Sequence, residues 1–144
     1  MAINQLSVFA ENRYGTIRNV TKVLGDKGVD IRALSVSDTE GFGVLRLIVS
    51  DLKAAKDVLA DQECIVSVTP VLGIVIPDRP GGLSSVLTLL SDNRINIEYL
   101  YAFITRIADG SACVVLHVKE MRRATTLLTE AGISLLTEEQ LGRA

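Results

Sequence analysis

The pattern of apolar residues predicts an α+β fold: two ferredoxin-like βαββαβ modules in tandem, antiparallel sheets with helices on one face. Three observations carry this prediction. The chain repeats itself, each copy runs through strand-like and helix-like periodicity in the same order, and turn-forming residues stand at the joints of that order.

The repeat is read by laying Asn12-Arg13-Tyr14-Gly15-Thr16-Ile17 on Asp78-Arg79-Pro80-Gly81-Gly82-Leu83, an offset of 66. At that offset Val20 meets Val86, Leu24 meets Leu90, and Val29-Asp30-Ile31 meets Ile95-Asn96-Ile97. Farther on the offset becomes 69, where Val49 meets Val118, Ala55 meets Ala124 and Leu59 meets Leu128. The change falls between Asp38 and Ala112, where a hairpin tip tolerates insertion. The seam near Thr69-Pro70 divides the chain into expected modules 1–69 and 70–144.

Within the first copy, Ile3 to Ala10 alternates as a strand does. Ile17, Val20, Val23 and Leu24 follow a helical period, and Gly28 sits where a C-terminal cap belongs. Val29 to Ser37 and Gly43 to Val49 are expected strands, joined by a turn at 38–41. Ser50 or Asp51 is placed to cap a helix with Leu52, Ala55, Val58 and Leu59 on one face, and a short strand follows at Cys64 to Val68. The second copy repeats this at Val71–Ile76, Gly82–Asn93, Ile95–Thr105, Ala112–Val118, Glu120–Ala131 and Ile133–Leu136. A module of this size leaves one sheet face needing cover. Ile95–Thr105 is apolar on both faces, so burial on both is expected, with a homodimer as the consequence.

Composition narrows the function. Of 144 residues 48% are apolar and only 4% aromatic, and the net charge is −2 with no basic cluster, so neither nucleic acid nor an anionic membrane is an expected partner. Cys64 and Cys113 lack any CxxC spacing, and two free thiols buried in strands are expected rather than a disulfide or a metal site. No signal-peptide pattern or long apolar run is present, so the expected location is the cytoplasm. Nucleotide-binding glycine motifs and a GxSxG elbow are absent, and the single histidine, His117, has no visible partner set. No catalytic residue and no cofactor are expected. The sheet-surface position of His117, and of Tyr99 and Tyr101, fits packing better than chemistry.

The loop after each first strand is the candidate site. Pro80 restricts the backbone near the helix start, Gly81 and Gly82 leave room for a ligand to approach, and the following N–H groups favour a carboxylate. Both copies carry Arg-x-Gly there, preceded by Asn12 or Asp78.

The segments Phe9–Gly15 and Ile76–Leu83, each followed by a helix and then by Val29-Asp30-Ile31 or Ile95-Asn96-Ile97, resemble ACT domains. The resemblance spans the chain twice and is to stand-alone tandem ACT proteins without an enzyme domain. It implies a protein that catalyses nothing, binds a free amino acid at module interfaces through the strand-to-helix loop, and regulates an enzyme of amino-acid metabolism. The implied ligand-binding residues are Asn12, Arg13, Tyr14, Gly15, Thr16 and Ile17 in the first loop, and Asp78, Arg79, Pro80, Gly81, Gly82 and Leu83 in the second. Asp30 and Asn96 join them from the strand starts. If the modules exchange partners, Asn12 serves with Asn96, and Asp78 with Asp30. Tyr14 stands where the family has Pro, and Thr16 where the second loop has Gly82, so the first loop is expected to be less pre-set and more crowded. The alternative is an ACT module that serves structure or protein interaction and takes no ligand.

Overall fold

In the computed structural model, residues 2–11, 13–39, 41–62, 64–105 and 109–142 are described. The chain divides into two compact units. One comprises Asn4–Thr69 with Leu141, the other Pro70–Gln140 with Ile3.

The first unit holds β1 (Ile3–Glu11), α1 (Thr16–Asp26), β2 (Ile31–Thr39), β3 (Phe42–Val49) and α2 (Leu52–Leu59), and it closes on the start of β4 (Ile65–Pro77). Its strand order is β2-β3-β1-β4. The antiparallel register sets Leu6 against Leu47 and Val8 against Leu45, and on the other side Leu34 against Leu47. Period-2 alternation therefore sends Leu6, Val8, Leu45 and Leu47 to one face, where they meet Val20, Leu24, Ala55 and Leu59 from the helices. Each fully buried leucine contributes roughly 1.5–3 kcal/mol relative to an exposed one. Asp51 is the cap of α2, its Oδ1 accepting from the Ala54 N–H at 3.0 Å. Gly28 takes the left-handed conformation after α1, at φ 74°.

On the opposite face Gln5, Ala33 and Ile48 are fully buried. Gln5 Nε2 donates to Ser7 Oγ at 3.1 Å, and Ser7 Oγ bonds Thr69 Oγ1 at 3.1 Å, so these polar groups satisfy one another.

The second unit takes the rest of β4, then α3 (Gly82–Asp92), β5 (Ile97–Ala102), β6 (Ser111–Val118), α4 (Met121–Glu130), β7 (Ser134–Leu135) and, near its end, α5 (Glu138–Leu141). The strand order is β5-β6-β4-β7, all antiparallel. Leu72, Ile74, Leu116, Leu90 and Leu128 form its fully buried centre.

Two expectations change. The strands expected at Cys64–Val68 and Val71–Ile76 are one: β4, thirteen residues, runs straight through Thr69-Pro70. A strand needs only paired neighbours on either side, and a break at the seam would leave backbone groups unpaired. Second, β5 is shorter than Ile95–Thr105 and among the described residues pairs with β6 alone; Tyr101 is buried, while Leu100 (37%) and Ile104 (65%) are exposed. His117 on β6 stacks on Tyr99 with centroids 4.8 Å apart.

Candidate ligand site at the two strand to helix loops

The two loops fold alike from different residues. In the first, the Arg13 N–H donates to the Glu11 carbonyl at 3.1 Å, Thr16 N–H to Arg13 O at 3.2 Å, and Asn19 N–H to Gly15 O at 2.8 Å. In the second, Arg79 N–H donates to Pro77 O at 3.0 Å, Gly82 N–H to Arg79 O at 3.0 Å, and Ser85 N–H to Gly81 O at 3.0 Å. Gly15 (φ 85°, ψ −5°) and Gly81 (φ 86°, ψ −9°) cap their helices in the same left-handed conformation. That conformation is what the Arg-x-Gly pattern secures, because a side chain there is strained.

Tyr14 is fully exposed, and Gly15 after it takes the same conformation as Gly81 after Pro80. Pro80 directly precedes the capping residue Gly81. Gly82 is needed by the loop itself, since a Cβ there would lie 2.2 Å from the Pro77 carbonyl oxygen. In the first loop Thr16 carries a Cβ at that place, so the backbone differs there locally, and its hydroxyl donates to Glu11 O at 3.0 Å. Leu83 packs on the core of its unit and Ile17 is exposed. Asn12 lies outside the described residues.

Each loop borders a cavity contained in its own unit. The first, about 210 Å³, is lined by Glu11, Arg13, Thr16, Asn19, Gln62 and Cys64 over Ala10 and Val20. Glu11 Oε2 lies 3.1 Å from Arg13 Nε, both side chains being about two-thirds exposed. The second, about 450 Å³, is lined by Arg79, Pro80, Gly81, Gly82 and Ser85 with Ile76, Pro77, Val86, Leu89, Ala131 and Ile133 among the apolar walls. Asp78 joins the loop through its N–H, which donates to Gly110 O at 3.1 Å.

The strand-start residues lie elsewhere within their units. Asn96 is exposed in a separate groove beside Ser91 and Arg94. The Asp30 carboxylate is engaged by Arg32, whose Nη1 is 3.3 Å from Oδ2. Arg32 itself is buried. Its side chain is only 4% exposed, and its Nε donates to the Leu141 carbonyl at 3.0 Å. A lone Arg among the apolar and small residues of β2 was the sequence signal for this contact.

Cys64 also departs from expectation: it is half-buried, precedes β4 rather than lying in a strand, and opens on the first cavity. Its Sγ donates to Leu59 O at 3.6 Å, and burial pushes the thiol above its usual range. Cys113 is buried in β6. No cluster of three or more His, Cys, Asp or Glu able to hold a metal occurs among the described residues.

Two βαββαβ units in one chain, each with a glycine-capped loop at a cavity, define a paired-module architecture. The chain belongs to the family described as the ACT domain pair, a regulatory domain type, whose model matches residues 1–144. A protein from Bacteroides thetaiotaomicron of known crystal structure is 36% identical, with a TM-score of 0.89 over 100% of this chain and 98% of that one. The fold is shared by the ligand-free regulatory subunit of aspartate kinase from Thermus thermophilus (15% identity, TM-score 0.60, covering 89% of this chain and 91% of that one). It is shared too by aspartate kinase from Synechocystis (22% identity, TM-score 0.58, 94% of this chain and 26% of that one). No curated protein matches the sequence. Among the described residues no helix is long and apolar enough to cross a membrane.

Proposed function

We propose that this ACT domain pair is a cytoplasmic regulatory protein that binds a free amino acid and catalyses nothing, acting as a homodimer on an enzyme of amino-acid metabolism. The observation that carries the reading is the duplicated loop: Arg13 and Arg79 stand at the same place, followed by Gly15 and Gly81 in the same conformation, each beside a cavity. A guanidinium beside helix N–H groups receives a carboxylate, the group all free amino acids share. The ligand-binding residues are the loop set Asn12, Arg13, Tyr14, Gly15, Thr16 and Ile17, its counterpart Asp78, Arg79, Pro80, Gly81, Gly82 and Leu83, and the strand-start residues Asp30 and Asn96. The likeness to a regulatory subunit of aspartate kinase supports an amino-acid-metabolic partner.

A thermal-shift screen of the full chain against the twenty amino acids tests this. A ligand at a hundred times its dissociation constant adds about 2.7 kcal/mol of stability. No shift with any amino acid overturns the binding reading and leaves an ACT pair that serves protein interaction alone.

A further inference from the structure

The eight described residues that line the first cavity have their repeat counterparts in the wall of the second. Ala10, Arg13 and Val20 correspond to Ile76, Arg79 and Val86 at the offset of 66, and Gln62 and Cys64 to Ala131 and Ile133 at the offset of 69. Two cavities formed by equivalent positions are a feature of the fold, present twice.

Their chemistry has diverged in one direction. Glu11 is matched by Pro77, Asn19 by Ser85, Gln62 by Ala131 and Cys64 by Ile133, while the arginine is kept. The first cavity thus sets a carboxylate and a guanidinium 3.1 Å apart at its mouth, with two carboxamides nearby. The second has no acid among the described residues of its lining, and Ile76, Val86, Leu89 and Ile133 give it the more apolar wall.

We infer that the two cavities divide the ligands by charge, the first taking a zwitterionic amino acid with a small polar side chain and the second a carboxylate with an aliphatic tail and no ammonium group. The inference rests on the amino-acid reading above and adds which module reads which molecule, and with what residues.

The Glu11–Arg13 pair suits a zwitterion because an α-amino acid carries its ammonium and carboxylate on one carbon. Glu11 takes the former and Arg13 the latter. Both side chains are largely exposed, and an exposed ion pair is weak, so exchanging it for the ligand costs little. At about 210 Å³ the cavity falls below the roughly 300–1,000 Å³ of drug-sized sites, which limits it to a small molecule. Asn19 and Gln62 each offer donors and an acceptor for a hydroxyl or amide side chain. In the second cavity Arg79 and Ser85 receive a carboxylate, but an ammonium there has no acid to meet and would lose its hydration against apolar walls. An aliphatic tail gains from those same walls.

The test is a set of ¹H–¹⁵N titrations of the full chain with two matched pairs: L-serine and 3-hydroxypropanoate, then L-valine and 3-methylbutanoate. Each second member is the first without its amino group. L-serine is expected to shift amides of residues 11–20 and 62–64, with 3-hydroxypropanoate weaker by about tenfold or more, the loss of a charged hydrogen bond. The 3-methylbutanoate ion is expected to shift residues 79–89 and 131–133, and L-valine to bind there no more tightly. Glu11→Gln should remove the preference for L-serine and leave 3-methylbutanoate binding unchanged. Equal binding of L-serine and 3-hydroxypropanoate, an unaffected Glu11→Gln protein, or the absence of 3-methylbutanoate binding at the second cavity overturns the division. Amino-acid binding whose shifts centre on Asp30 and Asn96 overturns it while leaving the amino-acid reading intact. Failure of every amino acid in the thermal screen removes both.

Discussion

Gly81 and Gly82 are neighbours without side chains for different reasons. At Gly81 an added Cβ meets nothing within 4 Å, but φ is 86°. At Gly82 the dihedral is unremarkable and the Cβ would strike the Pro77 carbonyl at 2.2 Å, a backbone atom that cannot swing aside. Gly81→Ala is therefore expected to cost about 1–2 kcal/mol, the left-handed penalty. Gly82→Ala should cost about 1–3 kcal/mol and distort the end of β4. Urea unfolding measures both, and amide shifts at 77–79 separate them: displaced in Gly82→Ala, near parent values in Gly81→Ala. Cys64 belongs to the same scale. Burial holds its thiol above the ordinary value, so the folded chain keeps this proton more tightly than the unfolded one. The resulting stability is fully present below the unfolded-state pKa and is lost as pH rises through the folded one. Iodoacetamide should alkylate Cys64 more slowly than a free thiol at pH 8, and the lag should close as pH climbs toward the raised value. An equal rate at pH 8, read by mass spectrometry, contradicts this.

Among the elements, α5 is four residues long and too short to hold itself together. Its last residue, Leu141, is buried, and the Leu141 carbonyl accepts from Arg32 Nε. Arg32 is in turn a nearly buried cation whose carboxylate partner, Asp30, is half exposed. Neither group is well satisfied without the other, since a buried charge missing a partner is costly. Arg32→Ala and a chain ending at Thr137 are both expected to destabilise the first unit by about 1–3 kcal/mol. The double variant should lose less than the sum of the two, as residues acting on one contact do. Additive losses in urea melts would show that the tail and Arg32 act separately.

The whole molecule leaves apolar surface open: Phe42 (59%) and Ile65 (72%) in the first unit, Leu100 and Ile104 at the β5 edge in the second. An edge strand with one side open and exposed apolar side chains is a place for a second chain to pair. We expect a homodimer, with Leu100→Glu on β5 shifting it toward monomer. Light scattering across micromolar dilution checks this, and a monomer mass throughout for the parent chain would refute it.

The order of elements was legible because it is local chemistry. Val20 and Leu24 mark a helix face, Asp51 a cap and Gly28 a helix end through residues a few positions away, and the repeat read each signal twice. The turn of each loop was legible for the same reason: Arg-x-Gly is a local pattern, and Gly15 and Gly81 take the dihedral that only glycine adopts freely. What joined residues across the chain was not legible. Periodicity carries no record of which distant residues meet, so Gln62 and Cys64 reaching the first loop depended on the sheet order that sets β4 beside β1. The contact of Arg32 with Leu141, 109 residues apart, arose the same way. The sequence by itself determined two βαββαβ copies and their glycine-capped loops. Only the tertiary structure decided that Gly82 serves a close approach within its own loop, that β4 is continuous through the seam, and that each loop borders a cavity of distinct polarity, because these depend on distances between segments that no local pattern encodes.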